Sequence, residues 1–250
     1  MLTPCTYCAQ YPLMNLLHLI LLLFLIALPP KSHALYAQGC QDPKYHAYID
    51  SRFATFAQNN ERMYTQTLRE YERIEQTNSA TQDHTFQRIS ALTRHLTYSA
   101  QLDPIAQARL KIDALLSYSE ALSMEKRIAG LVLDEFSSEN HAINMARAWI
   151  AYRQGDMEAT QASLMASLDI KDPMLLSAFG PDFSLVRHLY KDGHIDIVKA
   201  FINKTKTFWQ TSEANRLRFI WGQMMILQCQ IQFESSDIVQ ALNLGIRTQR

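Results

Sequence analysis

AWIAYRQGDMEATQASL at residues 148 to 164 and VRHLYKDGHIDIVKAFI at residues 186 to 202 are one local pattern written twice, with Gly155 and Gly193 at the same point, 38 positions apart. In each copy apolar residues recur at helical spacing up to the glycine and resume directly after it. A glycine there supplies the left-handed residue that ends one helix; Asp156 can cap the next, and His194 takes its place in the second copy. Tyr152 matches Tyr190, Arg153 matches Lys191, Met157 matches Ile195, Glu158 matches Asp196, Ala162 matches Ala200 and Leu164 matches Ile202. A helical hairpin repeated at this period predicts an all-α fold of antiparallel hairpins, a scaffold whose usual role is to hold another macromolecule.

Composition agrees with a helical reading. The 250 residues include only seven Gly and eight Pro, and the apolar share of 48% is that of a globular protein with a substantial core. Lys plus Arg and Asp plus Glu both number 24, so the formal net charge is zero. The long-range field of a nucleic-acid binder is missing, and nucleic acid is excluded as the expected partner.

Outward from the doubled hairpin, the spacing predicts a long amphipathic helix over about residues 43 to 76, carrying Tyr45, Ile49, Phe53, Phe56, Tyr64, Leu68, Tyr71 and Ile74. Its charged residues read as solvated surface. A polar loop at 77 to 83 precedes a second helix with Phe86, Ile89, Leu92 and Leu96 inward. Asp103-Pro104 reads as an N-cap followed by proline at the first helical position. A short helix is expected over about 125 to 136, with Ser137-Ser138-Glu139 capping the first hairpin, and a last pair over about 212 to 233 and 236 to 244.

Residues 16 to 28, LLHLILLLFLIAL, form an apolar run of thirteen that stops at Pro29-Pro30. A membrane-spanning helix needs about 20 residues, whereas a secretory leader carries about 7 to 15 followed by a small-residue cleavage site. Residues 1 to 34 therefore read as a signal peptide, cut after Ala34 or Ala37, leaving 35–250 as one all-helical domain. Residues 1 to 15 contain no Lys or Arg, which is explained if translation starts at Met14. Cys5 and Cys8 have C-x-x-C spacing, but precede the leader and lack a second ligand pair. Export leaves Cys40 and Cys229, an even count that predicts a bridge worth roughly 4 to 5 kcal/mol. The competing reading makes Cys229 a buried free thiol. An uncleaved leader would instead give a membrane-anchored scaffold.

The Gly-Asp turn followed by Met-Glu-Ala, small residues and a later proline, Gly155 to Pro173, resembles a tetratricopeptide repeat. SAFGPDFSLVRHLYKDGHIDIVKAFINKTKTFW, residues 177 to 209, resembles a stretch in uncharacterised bacterial proteins of tetratricopeptide-like architecture. The resemblance covers about residues 142 to 209, with hairpins over about 139 to 209. Its 38-residue period exceeds the usual 34, and the chain before Ala142 does not match, which points to an irregular bundle or short solenoid. What the resemblance implies is a scaffold for protein contacts, without catalytic residues to carry over.

No H-E-x-x-H, G-x-S-x-G, Gly-rich phosphate loop or di-iron motif occurs, and no catalytic, metal or cofactor residue is assigned. His188 and His194 read as surface or cap histidines. An enzyme with dispersed catalytic groups is the alternative class, and a deep pocket of convergent polar groups would favour it. The resemblance also implies that the first helix of each hairpin lines a concave face. Its exposed positions would be Met145, Trp149, Tyr152 and Arg153, then Phe183, Arg187, Tyr190 and Lys191, a mix suited to a peptide with acidic groups or a terminal carboxylate. Trp149 and Tyr152 also read as packing residues, since aromatic stripes at helical spacing usually form core. Arg187 and Lys191 lie one turn apart with no acid at matching spacing in their own helix.

Overall fold

The computed structural model describes residues 35–77, 82–128, 137–169 and 174–248. The expected leader, the Cys5–Cys8 pair, the start at Met14 and most of the helix expected over 125 to 136 lie outside them. Ten α-helices and two short 3-10 turns make up the described residues, with no strand among them. In chain order these are α1 (Pro43–Glu75), α2 (Gln82–Leu102), α3 (Ile105–Ile128), α4 (Ser137–Arg153), α5 (Met157–Ala166), α6 (Met174–Phe179), α7 (Ser184–Lys191), α8 (Ile195–Lys204), α9 (Ser212–Ile226) and α10 (Asp237–Asn243).

Local chemistry sets the boundaries. Asp42 accepts from the Lys44 amide at 2.9 Å with Pro43 in the first turn, which starts α1. At the doubled turn, the Gly155 amide donates to Tyr152 O and the Asp156 amide to Ala151 O; Gly193 and His194 repeat this onto Tyr190 O and Leu189 O. Both are Schellman closures, with φ of 76° at Gly155 and 86° at Gly193. Asp156 caps α5 through the Ala159 amide, whereas His194 makes no side-chain cap.

A third closure of the same kind ends α9. The Gln228 amide donates to Met225 O and the Cys229 amide to Met224 O, with Gln228 at φ 56°. The helix expected over about 212 to 233 therefore stops at Ile226. The chain then runs as an irregular segment to Ser236, fastened where Cys229 pairs with Cys40, their Cα atoms 4.9 Å apart.

The core centres on α2 and α4. On α2, Ile89, Leu92, Leu96 and Ala100 are fully buried, and the helix packs against α1, α3 and α4 at once. Phe86, expected inward, is 55% exposed; in the first turn of α2 the buried side chain is His84, whose Nε2 meets Ile74 O at 2.9 Å. Helix α4 buries Ala142, Ile143, Met145, Ala146, Ala148, Trp149, Ile150 and Ala151, so almost every side is covered, by α2, α3, α5 and α7. Its alanines let neighbouring backbones approach closely. Asp103 does not serve as the expected cap: it is buried, and its carboxylate takes hydrogen bonds from Ser99, Tyr64 and Lys111. Among the described residues no helix is long and apolar enough to cross a membrane.

Candidate functional site

Helix α7 buries Leu185, Val186 and Leu189, which leaves Ser184, Arg187, His188 and Lys191 as the opposite stripe. Across from them, α1 presents Phe53, Phe56 and Asn60, spaced three and four apart. The gap between these stripes is a groove in two adjoining compartments of about 670 and 460 Å³, within the range of ligand sites. Phe56, Asn60, Gln101, Ser184 and Arg187 line both. The smaller compartment is mainly apolar, with Phe53, Ala57, Leu102 and Trp149, and has Lys191 and Glu61 at its edges. The larger runs past Tyr98, Phe179 and Asp182 to Trp209, Glu213 and Glu234.

Arg187 sits at the junction. Its Nε donates to Gln232 O at 2.8 Å, its guanidinium lies 3.9 Å from the Phe56 ring centroid, and Nη2 is 3.8 Å from Glu234. On the other side of Glu234, Arg52 pairs with it at 3.2 Å, reaches Gln232 Oε1 at 3.0 Å and also lies over Phe56, at 5.1 Å. Burial lowers the Arg187 pKa, and the charges of Glu234 and Asp182 oppose that shift. This cation is built in, with an acid supplied by the segment after α9. Lys191 is exposed, its Nζ 5.8 Å from the Phe53 centroid.

The segment after α9 forms the groove's far wall and is held from both sides. Tyr190 donates to Cys229 O at 2.6 Å, Tyr45 to Gln230 O and Arg187 to Gln232 O. Buried Asp237 accepts from Trp221 Nε1 at 2.9 Å and from the Gln232 and Glu234 amides. Phe233 is held at φ 56°, a left-handed conformation unfavourable for an aromatic residue, and its ring stacks on Phe183.

The eight residues expected on one concave stripe are divided by the structure. Met145, Trp149 and Phe183 are core: α4 is enclosed on the side assigned to solvent, and Phe183 is wedged among Phe201, Trp209, Trp221 and Phe233. Tyr152 is half-buried, with its hydroxyl on Asp192, and Tyr190 holds the Cys229 carbonyl. Arg153 is exposed but spends a guanidinium N–H on Ala100 O, at 2.9 Å, near the end of α2. Four of the eight line the groove: Arg187 as a partnered cation, Lys191 as an exposed one, and Trp149 and Phe183 as core rings that reach the smaller and the larger compartment. Sequence reasoning assigned Phe53 and Phe56 to a helix face without recognising a groove, and it missed Asn60, Gln101, Asp182 and Glu234.

A second polar cluster joins α1, α2 and α3. Lys111 Nζ lies 2.6 Å from Asp103 and donates to His95 Nε2 at 2.7 Å, and His95 Nδ1 meets Thr67 Oγ1 at 3.0 Å. Thr67 donates to Met63 O, so the ring proton belongs on Nδ1 and His95 is neutral. Burial and the Lys111 charge push the His95 pKa down to about 4. Asp103 is pushed up by burial, but bonds from Lys111, Ser99 and Tyr64 hold it below the usual carboxylate range. Each polar group here has a partner, as in a structural latch. Among the described residues no three His, Cys, Asp or Glu side chains gather to hold a metal ion. No family model, curated protein or solved structure matches this chain.

Proposed function

We propose that this chain is an exported, non-catalytic scaffold of tetratricopeptide-like hairpins that captures a segment of another protein in the groove between α1 and α7. The observation that carries the reading is the apolar compartment. Phe53, Phe56 and Leu102, the last 44% exposed, offer an apolar surface at the lip of a groove with Lys191 at one edge. Such a trough suits an amphipathic or extended segment that buries apolar side chains and sets a carboxylate beside Lys191. The repeated Schellman-closed turns support the scaffold architecture. The Cys40–Cys229 pair supports a periplasmic or secreted location, since disulfides persist in oxidising compartments.

Photo-crosslinking in the producing cell tests this. A benzophenone side chain at Leu102 is expected to give a discrete macromolecular adduct from the envelope fraction, weakened by Lys191→Glu. The same probe at Leu110, which is 68% exposed on α3 and lines neither compartment, should give none. Identical adduct patterns at the two positions, or no adduct at Leu102, would refute protein capture in this groove.

A further inference from the structure

The larger compartment has a different chemistry from the trough beside it. Its charged lining is Asp182, Glu213, Glu234 and Arg187; Glu234 is shared by Arg52 and Arg187, and Arg187 is also engaged by Gln232 O and Phe56, which leaves Asp182 and Glu213 as the carboxylates for a ligand. Asp182 is half-buried and accepts from Ser184 N at 2.7 Å and Ser184 Oγ at 3.0 Å, one bond per carboxylate oxygen. A carboxylate oxygen offers two lone-pair directions, so each keeps capacity for a ligand. Glu213 is exposed in the first turn of α9.

The groove's rings already act as cation platforms. Among the described residues there are five cation–π pairs, and four of them fall on groove rings: Arg52 and Arg187 on Phe56, Lys191 on Phe53 and Arg218 on Trp209. Phe179 and Tyr98, which line the compartment with Asp182 and Glu213, carry no such cation among the described residues. Phe179 is 81% exposed, so its ring is open to a ligand. The Asp182 charge reaches Tyr98: after burial, it is the next cause raising that phenol's pKa, with the Arg62 charge opposing it. The rim is shaped by a close approach, since a Cβ on Gly180 would fall 2.8 Å from Trp209 Cζ2, and Gly180 has φ 80°.

We infer that this compartment recognises an organic cation, an alkylguanidinium or alkylammonium group seated against Phe179 and Tyr98 and neutralised by Asp182 and Glu213. Aromatic faces and carboxylates attract such a group, and the same carboxylates repel phosphate and acidic ligands. A free polyamine and the Arg or Lys side chain of a captured segment share this chemistry. The inference does not require protein capture, because a free amine alone would satisfy it.

Trp209 and Trp221 line the compartment, so intrinsic fluorescence reports on its occupancy. The exported chain is titrated with agmatine, spermidine and an acetylated arginine tripeptide amide, and in parallel with chitotriose and glutarate. A saturable change with the cations is expected, weakened about tenfold by Asp182→Asn combined with Glu213→Gln and by Phe179→Ala. The Asp182→Asn change keeps a side-chain oxygen to accept from the Ser184 amide, and circular dichroism checks that the variants fold. Agmatine binding as tightly as the tripeptide identifies a free amine as the source; a tripeptide advantage of about tenfold identifies a partner side chain. No saturable response to any cation overturns the inference, as do wild-type affinity in the variants and binding of chitotriose alone. Crosslinking at Leu102 reads the trough separately, so either proposal can fail while the other stands.

Discussion

Replacing Cys40 and Cys229 by Ala removes a tie between residues 189 positions apart. In the chain-entropy treatment, opening a loop of that length returns about 18 cal/mol/K to the unfolded chain, or about 5 kcal/mol at 25 °C. The native state retains its other fastenings in this region: Tyr45 on Gln230 O, Tyr190 on Cys229 O and the Asp237 bonds. The loss should therefore lie in the unfolded ensemble. With a urea m-value of about 2 to 3 kcal/mol/M, the midpoint should fall by about 2 M. The m-value itself should rise, because an untied chain exposes more surface on unfolding. Single and double Cys→Ala variants should lose similar amounts, since either removes the bridge. Urea titrations followed by circular dichroism, with thiol counting on the native protein, provide the assay. Alkylation of Cys40 and Cys229 in the unreduced protein, located by peptide mapping so that Cys5 and Cys8 are not counted, would refute the pairing, and a midpoint shift below about 0.3 M would refute the entropic account.

Arg187→Ala should cost about 2 to 3 kcal/mol, because it strands the Gln232 carbonyl and removes the cation facing Glu234, while Lys191→Ala should stay within about 0.5 kcal/mol; urea denaturation separates them. Leu92→Ala should cost about 2 to 5 kcal/mol, and Phe86→Ala about 0.5 kcal/mol, by the same measurement. Gly155→Ala and Gly193→Ala should each cost about 1 kcal/mol for forcing a Cβ into the left-handed region, whereas Gln228→Gly should be neutral or stabilising by up to about 1 kcal/mol in thermal melts. Burial raises the Asp237 pKa from its ordinary 3.8 to about 6, so the folded state binds that proton more tightly than the unfolded state. Its contribution is greatest below pH 4 and falls by about 3 kcal/mol as pH rises to 6. His95, pushed down to about 4, gives the opposite slope in the same window, so Asp237→Asn should reveal stability that rises with pH where wild type is flatter.

The hairpins were legible because their information is local. Gly155 and Gly193 mark left-handed residues that almost only glycine adopts without cost, and the apolar spacing on either side sets the helices. The third closure could not be read this way, because Gln228 occupies a glycine's conformation without being one. The end of α9 was missed for that reason. The burial of α4 does leave a sign in the sequence: Ala142, Ala146, Ala148 and Ala151 lie on more than one face, as in a helix that neighbours approach from several sides. The groove's charge was illegible because it is non-local. Glu234 faces Arg187 from 47 positions away and is shared with Arg52, through a loop whose path is set by Asp237, two left-handed residues and the Cys40 pairing.

That loop also explains why the groove should bind by fit rather than by folding around its ligand. A wall of irregular backbone would normally be the mobile part of a site, since its carbonyls and amides turn to water. Here the Cys229, Gln230 and Gln232 carbonyls go to side chains of α1 and α7, and the Gln232 and Glu234 amides go to one buried carboxylate. The donors that hold the wall come from the same two helices that form the groove's facing stripes. Arg187 is therefore better described as the hinge pin of the site than as its bait, and the ordering cost of the wall is met in folding instead of at binding. The chemistry left for a ligand is what this fastening does not use: the Phe53–Leu102 trough beside Lys191, and the open rings and carboxylates around Phe179 and Asp182.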